Sequence, residues 1–174
     1  VSTDAAVFCE PLAAAFQIPA QVPIGKSDRV IVLGDGRLGN LCAQVLSRCT
    51  TRLLVAGKHP HKLAQLERLG LQTCLATDLP ADHAADIVVD CTGSSTGLPA
   101  ALGLVRPRGT VVMKTTVAGE QTLALAPLVI NEVTLVGSRC GPFPPALSAL
   151  ESNDVDVLSL ISERFPLAAG VEAL

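Results

Sequence analysis

The stretch from Asp28 to Gly39, D-R-V-I-V-L-G-D-G-R-L-G, joins an apolar run to a glycine-spaced turn and then to a helical pattern. Val30, Ile31, Val32 and Leu33 form a β-branched-rich run without charge, as in a strand covered on both faces of a parallel sheet. Gly34, Gly36 and Gly39 follow at the G-x-G-x-x-G spacing, after which Leu38, Leu41, Cys42, Val45 and Leu46 recur at helical intervals. Each glycine answers a different need: a tight reversal at Gly34, close approach of backbone to a pyrophosphate at Gly36, helix-on-strand packing at Gly39. The helix directs its unpaired N–H groups and the positive end of its dipole at the same spot, which stabilises an anion without a lysine. Gly34, Gly36, Arg37, Leu38 and Gly39 are therefore the candidate phosphate cradle. The spacing alone is weak evidence, since glycine is common; the flanking strand and helix rank an ordinary turn second.

The same alternation continues along the chain. Strands are expected over 30–33, 52–56, 71–75, 86–91, 109–113 and 132–139, and helices over 4–17, 38–46, 60–70, 95–105, 123–130 and 146–153. Sequential β-α-β units of this kind specify an α/β fold, a doubly wound, six-stranded parallel sheet with helices on both faces. Pro19, Pro23 and Gly25 are expected to form a connector into the first strand, and the prolines of 140–145 to block pairing at an exposed sheet edge. Ligands of open parallel sheets bind outside the carboxyl ends of the strands, which places Gly57, Lys58 and His59, Thr92 and Gly93, and Lys114, Thr115 and Thr116 on the rim that carries the glycine turn.

The end of the second strand bears on the ligand's charge. A dinucleotide fold that takes NAD sets Asp or Glu about 20 residues beyond the glycines to bond the ribose 2′-hydroxyl. Here that position is Gly57. A missing carboxylate removes repulsion against a 2′-phosphate, and Lys58, with His59 and Lys62 behind it, supplies positive charge. NADP is thus expected, with NAD the alternative; the plainer reading makes Lys58 and His59 solvated turn residues.

Net charge −3, scattered Lys and Arg, four Phe and no Tyr or Trp exclude a basic stripe with stacking platforms, so nucleic acid is not an expected partner. No apolar run has the length of a membrane span, and a cytoplasmic protein is the default expectation. The six cysteines, none spaced C-x-x-C, read as small buried hydrophobes kept reduced. The chain opens on Val1 and holds a single methionine, Met113, which suggests a piece of a longer protein. No G-x-S-x-G occurs, and the absence of tyrosine removes the short-chain dehydrogenase arrangement.

E-P-L at Glu10 to Leu12, G-D-G-R-L-G at Gly34 to Gly39, D-C-T-G at Asp90 to Gly93, R-P-R-G-T at Arg106 to Thr110 and G-S-R-C-G at Gly137 to Gly141 together resemble the medium-chain dehydrogenase/reductase family. The likeness is to zinc-dependent alcohol dehydrogenases of the sorbitol and threonine dehydrogenase type, and it spans nearly the whole chain. It implies a Rossmann domain inserted into a catalytic domain: residues 1–24 lead in from the catalytic part, 25–160 form the dinucleotide-binding domain and 161–174 return. The implied reaction of the parent is hydride transfer between an alcohol or carbonyl substrate and a nicotinamide, with zinc in the intact parent. Thr92, Gly93, Thr115 and Thr116 would border the nicotinamide and its ribose, and Ser138 and Arg139 would reach toward the nicotinamide and substrate cleft. For Arg139 an edge-strand charge that deters aggregation is the competing reading. Glu10 matches a glutamate at or beside the family's metal. Without Cys and His companions it cannot hold zinc alone, and an exposed carboxylate at a helix N-terminus is its competing reading. No catalytic residue is expected within the chain, which should be inactive by itself. A homodimer or higher homo-oligomer is implied through the sixth strand. The alternative from another class is a non-catalytic nucleotide-binding sensor or regulatory module on the same fold.

Overall fold

Residues 1–79, 82–118 and 122–172 are described by the computed structural model of the chain. Two helices lead in, α1 (Thr3–Ala6) and α2 (Cys9–Gln21). There follow β1 (Arg29–Leu33), α3 (Arg37–Leu46), β2 (Arg52–Gly57), α4 (Pro60–Arg68), β3 (Gln72–Leu75), β4 (Ala85–Asp90) and α5 (Gly97–Leu104). β5 (Val105–Met113), α6 (Ala126–Ile130), β6 (Thr134–Gly137) and α7 (Phe143–Glu151) complete the order. The six strands form one parallel sheet in the order β3-β2-β1-β4-β5-β6, so the expected doubly wound Rossmann sheet is what the chain forms. The strand order reverses between β1 and β4, and the crevice outside their carboxyl ends is where such sheets take ligands.

Period-two alternation divides the core between the two faces. Val30 and Val32 of β1 pack with Val55, Val89 and Val112 under α2, α3, α4 and α7. Ile31 and Leu33 turn the other way, with Val88 and Val111, onto Leu98, Ala101, Leu102 and Leu104 of α5. Side chains on both faces of the central strands are fully buried, which is why these strands read as unbroken apolar runs.

Several elements depart from expectation. The leading helix breaks at Val7 and Phe8 and then runs on through Pro19 to Gln21, so Pro19 lies inside the helix and not in a connector. Burial decides this: Leu12, Ala13, Ala15 and Ile18 are fully buried against the first core, and the N–H of Val22 still closes on the carbonyl of Ile18. β5 begins four residues early, at Val105, and crosses Arg108 in the left-handed region at φ 60. The prolines after β6 do not block the sheet edge. Pro144 and Pro145 occupy the first turn of α7, where a missing N–H costs nothing. α7 packs onto α2, and in the segment just before α7 a Cβ on Gly141 would strike the carbonyl of Ala13. The helix expected over 123–130 is short, starting at Ala126. Of the cysteines, Cys42 alone is classed as fully buried, and Cys140 is exposed; none is in a disulfide. Pro80, in the expected loop before β4, and residues 173–174 of the expected return segment lie outside the described residues. Among the described residues no helix is long and apolar enough to cross a membrane.

Candidate cofactor-binding site

The turn from β1 to α3 is built as the glycine spacing requires. Gly34 has φ 112, and a Cβ there would lie 2.6 Å from the carbonyl oxygen of Cys91. A Cβ on Gly39 would sit 2.0 Å from the carbonyl oxygen of Gly34. These two glycines are demanded by the protein's own packing. Gly36 is different: it caps α3, and a Cβ there would meet nothing within 4 Å. Open space in front of a helix N-terminus, where fold alone imposes no glycine, is the form of a cradle for an anionic ligand.

Two clefts flank the turn. The first, about 490 Å³, is lined by Gly34, Gly36, Gly57, Lys58, His59 and Thr92, together with Asp35 and Lys62. The second, about 580 Å³, is lined by Glu10, Leu38, Thr115, Thr116, Ser138 and Arg139, with Met113 and Lys114. The residues read from the sequence thus divide between two spaces on opposite sides of β1 and β4. Gly39 and Gly93 line neither; Gly93 has φ 64 and donates its N–H to Thr115 Oγ1 at 3.1 Å. Arg37 is committed elsewhere, its Nε to the carbonyl of Leu160 at 3.2 Å and its Nη2 to Ser162 Oγ at 2.8 Å. Its guanidinium ties the glycine turn to the chain beyond α7.

Three charged groups that build the rim were given no role of their own in the sequence, although Lys114 was placed there. Asp35, the residue between the first two glycines, is buried and accepts hydrogen bonds from the N–H groups of Lys58 at 2.8 Å and His59 at 2.6 Å. His59 Nδ1 lies 3.0 Å from its Oδ1. Burial pushes the Asp35 carboxyl up, and the hydrogen bonds from the His59 ring and the two backbone N–H groups outweigh it, leaving the group below its ordinary value of 3.8. Asp90, at the end of β4, is fully buried. Its Oδ1 accepts from Thr92 N, Thr92 Oγ1 and Thr115 Oγ1 at 2.9, 2.8 and 2.9 Å, so it sets the two strand-end threonines. Its Oδ2 is the one buried side-chain oxygen or nitrogen without a hydrogen-bond partner among the described residues, and it lies 2.5 Å from where a Cβ on Gly97 would stand. Lys114, at the end of β5, donates to the carbonyls of Ala14 at 2.6 Å and Arg139 at 2.9 Å and to Ser138 Oγ at 3.2 Å. Burial pulls its pKa below the ordinary 10.5. It fastens α2 and the segment after β6 to the rim. The available signal for all three was a charged residue set directly in or after an apolar run, where burial demands a partner.

Zinc does not fit the residues of this chain. Glu10 is exposed in the first turn of α2, and among the described residues no group of three His, Cys, Asp or Glu gathers to hold a metal ion. A catalytic zinc needs three protein ligands and an open position.

The sequence pattern of the zinc-binding dehydrogenases matches residues 38–152, well over half of the chain. The chain belongs to the zinc-binding dehydrogenase family. Among curated relatives, sorbitol dehydrogenase of Halalkalibacterium halodurans is 25% identical over 97% of this chain and 54% of its own length. Erythritol/L-threitol dehydrogenase of Mycolicibacterium smegmatis is 24% identical over 93% of this chain and 49% of its own. Among solved structures, L-idonate 5-dehydrogenase of Escherichia coli superposes with a TM-score of 0.90 at 22% identity, covering 99% of this chain and 53% of that one. A zinc-binding dehydrogenase of Sinorhizobium meliloti bound to NADP gives 0.88 at 20% identity, covering 97% and 54%. These structures share the fold, and the chain spans about half the length of the relatives it matches.

Proposed function

We propose that this chain is the nicotinamide-dinucleotide-binding half of a dehydrogenase acting on a small-molecule alcohol or carbonyl, with NADP the cofactor held and NAD its weaker competitor. The observation that carries the reading is the glycine turn: Gly36 faces open space at the N-terminus of α3, with one cleft on either side. The N–H groups that open α3 would hold the pyrophosphate. Lys58, His59 and Lys62 would meet the adenosine ribose and its 2′-phosphate in the first cleft. Thr92, Thr115 and Thr116, the first two oriented by Asp90, would border the nicotinamide ribose, with Gly93 anchoring Thr115 from below. Ser138 and Arg139 would face the nicotinamide and the substrate. When bound, the cofactor supplies hydride chemistry. The chain's own part is to orient the dinucleotide and to shield one side of the ring.

In this reading residues 1–24 and 161–174 connect to a metal-bearing lobe in a longer parent, and Glu10 lies on the face turned toward it. The S. meliloti structure, bound to NADP, supports the cofactor class. The free edge of β6, with Leu135 exposed and Val129 and Ile130 beside it, supports self-association as a homodimer. Titration of the chain with NADPH and NADH, followed by nicotinamide fluorescence, tests the reading. NADPH is expected to bind more tightly, Lys58→Ala to erase the difference, and no alcohol to be oxidised even with added zinc. Absence of binding to either dinucleotide, or turnover by the chain alone, refutes it.

A further inference from the structure

The acid that dinucleotide folds usually set at the end of β2 is absent here, yet its space is not empty. A Cβ on Gly57 would lie 2.5 Å from both Cβ and Oδ2 of Asp35, so the carboxylate of the glycine turn fills the volume that Gly57 leaves. Asp35 reaches that volume from β1's side of the cleft, and its side chain is only 7% exposed. His59 Nδ1 lies 3.0 and 3.1 Å from its two oxygens. A carboxylate can only accept, so Nδ1 carries the proton and the other ring nitrogen is left for a ligand. The imidazole is half exposed and lines the first cleft beside Lys58 and Lys62.

Resting on the dinucleotide reading above, we propose that the Asp35–His59 pair tunes with pH the preference for phosphorylated over unphosphorylated cofactor that Lys58 supplies. His59 is the ligand of the 2′-phosphate, and Asp35 is the residue that positions the ring. With a neutral imidazole the pair carries one net negative charge and repels a 2′-phosphate. With a protonated imidazole the pair is neutral, and Nε2–H donates a charge-assisted hydrogen bond to the phosphate. Binding of the phosphorylated dinucleotide therefore takes up a proton at His59, while binding of the unphosphorylated one does not.

The other charged groups around the pair are few. Lys58, after β2, and Lys62, on α4, line the cleft and attract phosphate. His61, also on α4, has its ring centroid 5.9 Å from that of His59, edge to face. Arg37, on α3, is held by Leu160 and Ser162. From β4 and α5 the cleft receives no ionisable side chain but the Cys91 thiol, whose pKa the hydrogen bond with Cys42 and burial hold well above 9.0.

The test is calorimetric titration of the chain with 2′,5′-ADP and with 5′-AMP at about pH 6 and about pH 8, in buffers of unlike ionisation enthalpy. Selectivity for 2′,5′-ADP is expected to be about tenfold greater at the lower pH, the worth of one charge-assisted hydrogen bond, although protonation of the phosphate itself works the other way. Net proton uptake is expected with 2′,5′-ADP alone. Both effects should vanish in His59→Gln, fall in Asp35→Asn and persist in His61→Gln. If 5′-AMP binds but selectivity is flat with pH, or His59→Gln keeps the effect, the pair does not tune the preference. A rise in 2′,5′-ADP affinity at both pH values in Asp35→Asn likewise overturns the proposal, by showing a carboxylate that only repels. If neither nucleotide binds, the dinucleotide reading itself fails. His59 is exposed, so its variant tests the proposal even where Asp35→Asn does not fold.

Discussion

Replacing Lys114 by Met removes one ammonium and leaves the carbonyls of Ala14 and Arg139 and the hydroxyl of Ser138 without their donor. Met matches the length of the side chain, so the change is chiefly electrostatic. Each hydrogen bond from a charged group contributes about 1.5–3 kcal/mol, against several kcal/mol for withdrawing the ammonium from water. The balance is a loss of about 3 kcal/mol, since the abandoned acceptors stay buried beneath α2. For a chain of this length that lowers the melting temperature by about 8 °C. The pH dependence is a second readout. Burial holds the folded pKa of Lys114 below 10.5, so the unfolded chain binds the proton more tightly. Lys114 thus makes stability rise with pH through the window below 10.5. In Lys114→Met that rise disappears, and the gap between the two proteins widens toward alkaline pH. Urea unfolding of both proteins across that range measures the gap. A variant that melts within about 2 °C of the parent, with an unchanged alkaline slope, would refute the reasoning by showing that desolvation cancels the three bonds.

Gly36→Ala is expected to leave stability within about 0.5 kcal/mol, because its Cβ meets open space, yet to weaken dinucleotide binding at least about tenfold by calorimetry. Gly39→Ala, whose Cβ strikes the carbonyl of Gly34, should lose about 3 kcal/mol or more in urea unfolding. Asp35 ionises below 3.8 in the folded state, so the stability it contributes is fully present above that value and is lost as pH falls through the folded pKa. Acid unfolding of Asp35→Asn should therefore lack that part of the slope. Cys140 is exposed, whereas Cys42 is fully buried and Cys91 is held well above 9.0, so mass spectrometry of partly alkylated protein should find Cys140 modified first and Cys42 and Cys91 last.

The sheet was legible because its evidence is local. Val30 to Leu33, Leu53 to Ala56 and Ile87 to Val89 are unbroken apolar runs, and the glycine turn fixes where the first crossover begins. The order β3-β2-β1-β4-β5-β6, with its reversal between β1 and β4, was not read from the pattern, since alternation fixes parallel neighbours but not the point of reversal. What the pattern did not carry depends on contacts far along the chain. Pro19 reads as a helix end, but burial of Ile18 and Val22 holds α2 together past it. Pro144 and Pro145 read as an edge guard until α2 offers α7 a surface. The site behaves in the same way. Gly57 read as a missing acid because only β2 was considered, whereas the acid enters from the turn at Asp35, in the space that Gly57 vacates. Arg37 sits at the cradle in sequence, yet its guanidinium goes to residues more than a hundred positions away.

The most direct measurement of the central claim is the amide NMR spectrum of the labelled chain as NADP is added. Gly36, Arg37 and Leu38, at the N-terminus of α3, are expected to shift most, with Lys58 and His59 moving in the same titration and α7, which lines neither cleft, unmoved. A spectrum unchanged at millimolar NADP, or shifts confined to residues away from the glycine turn, would contradict it.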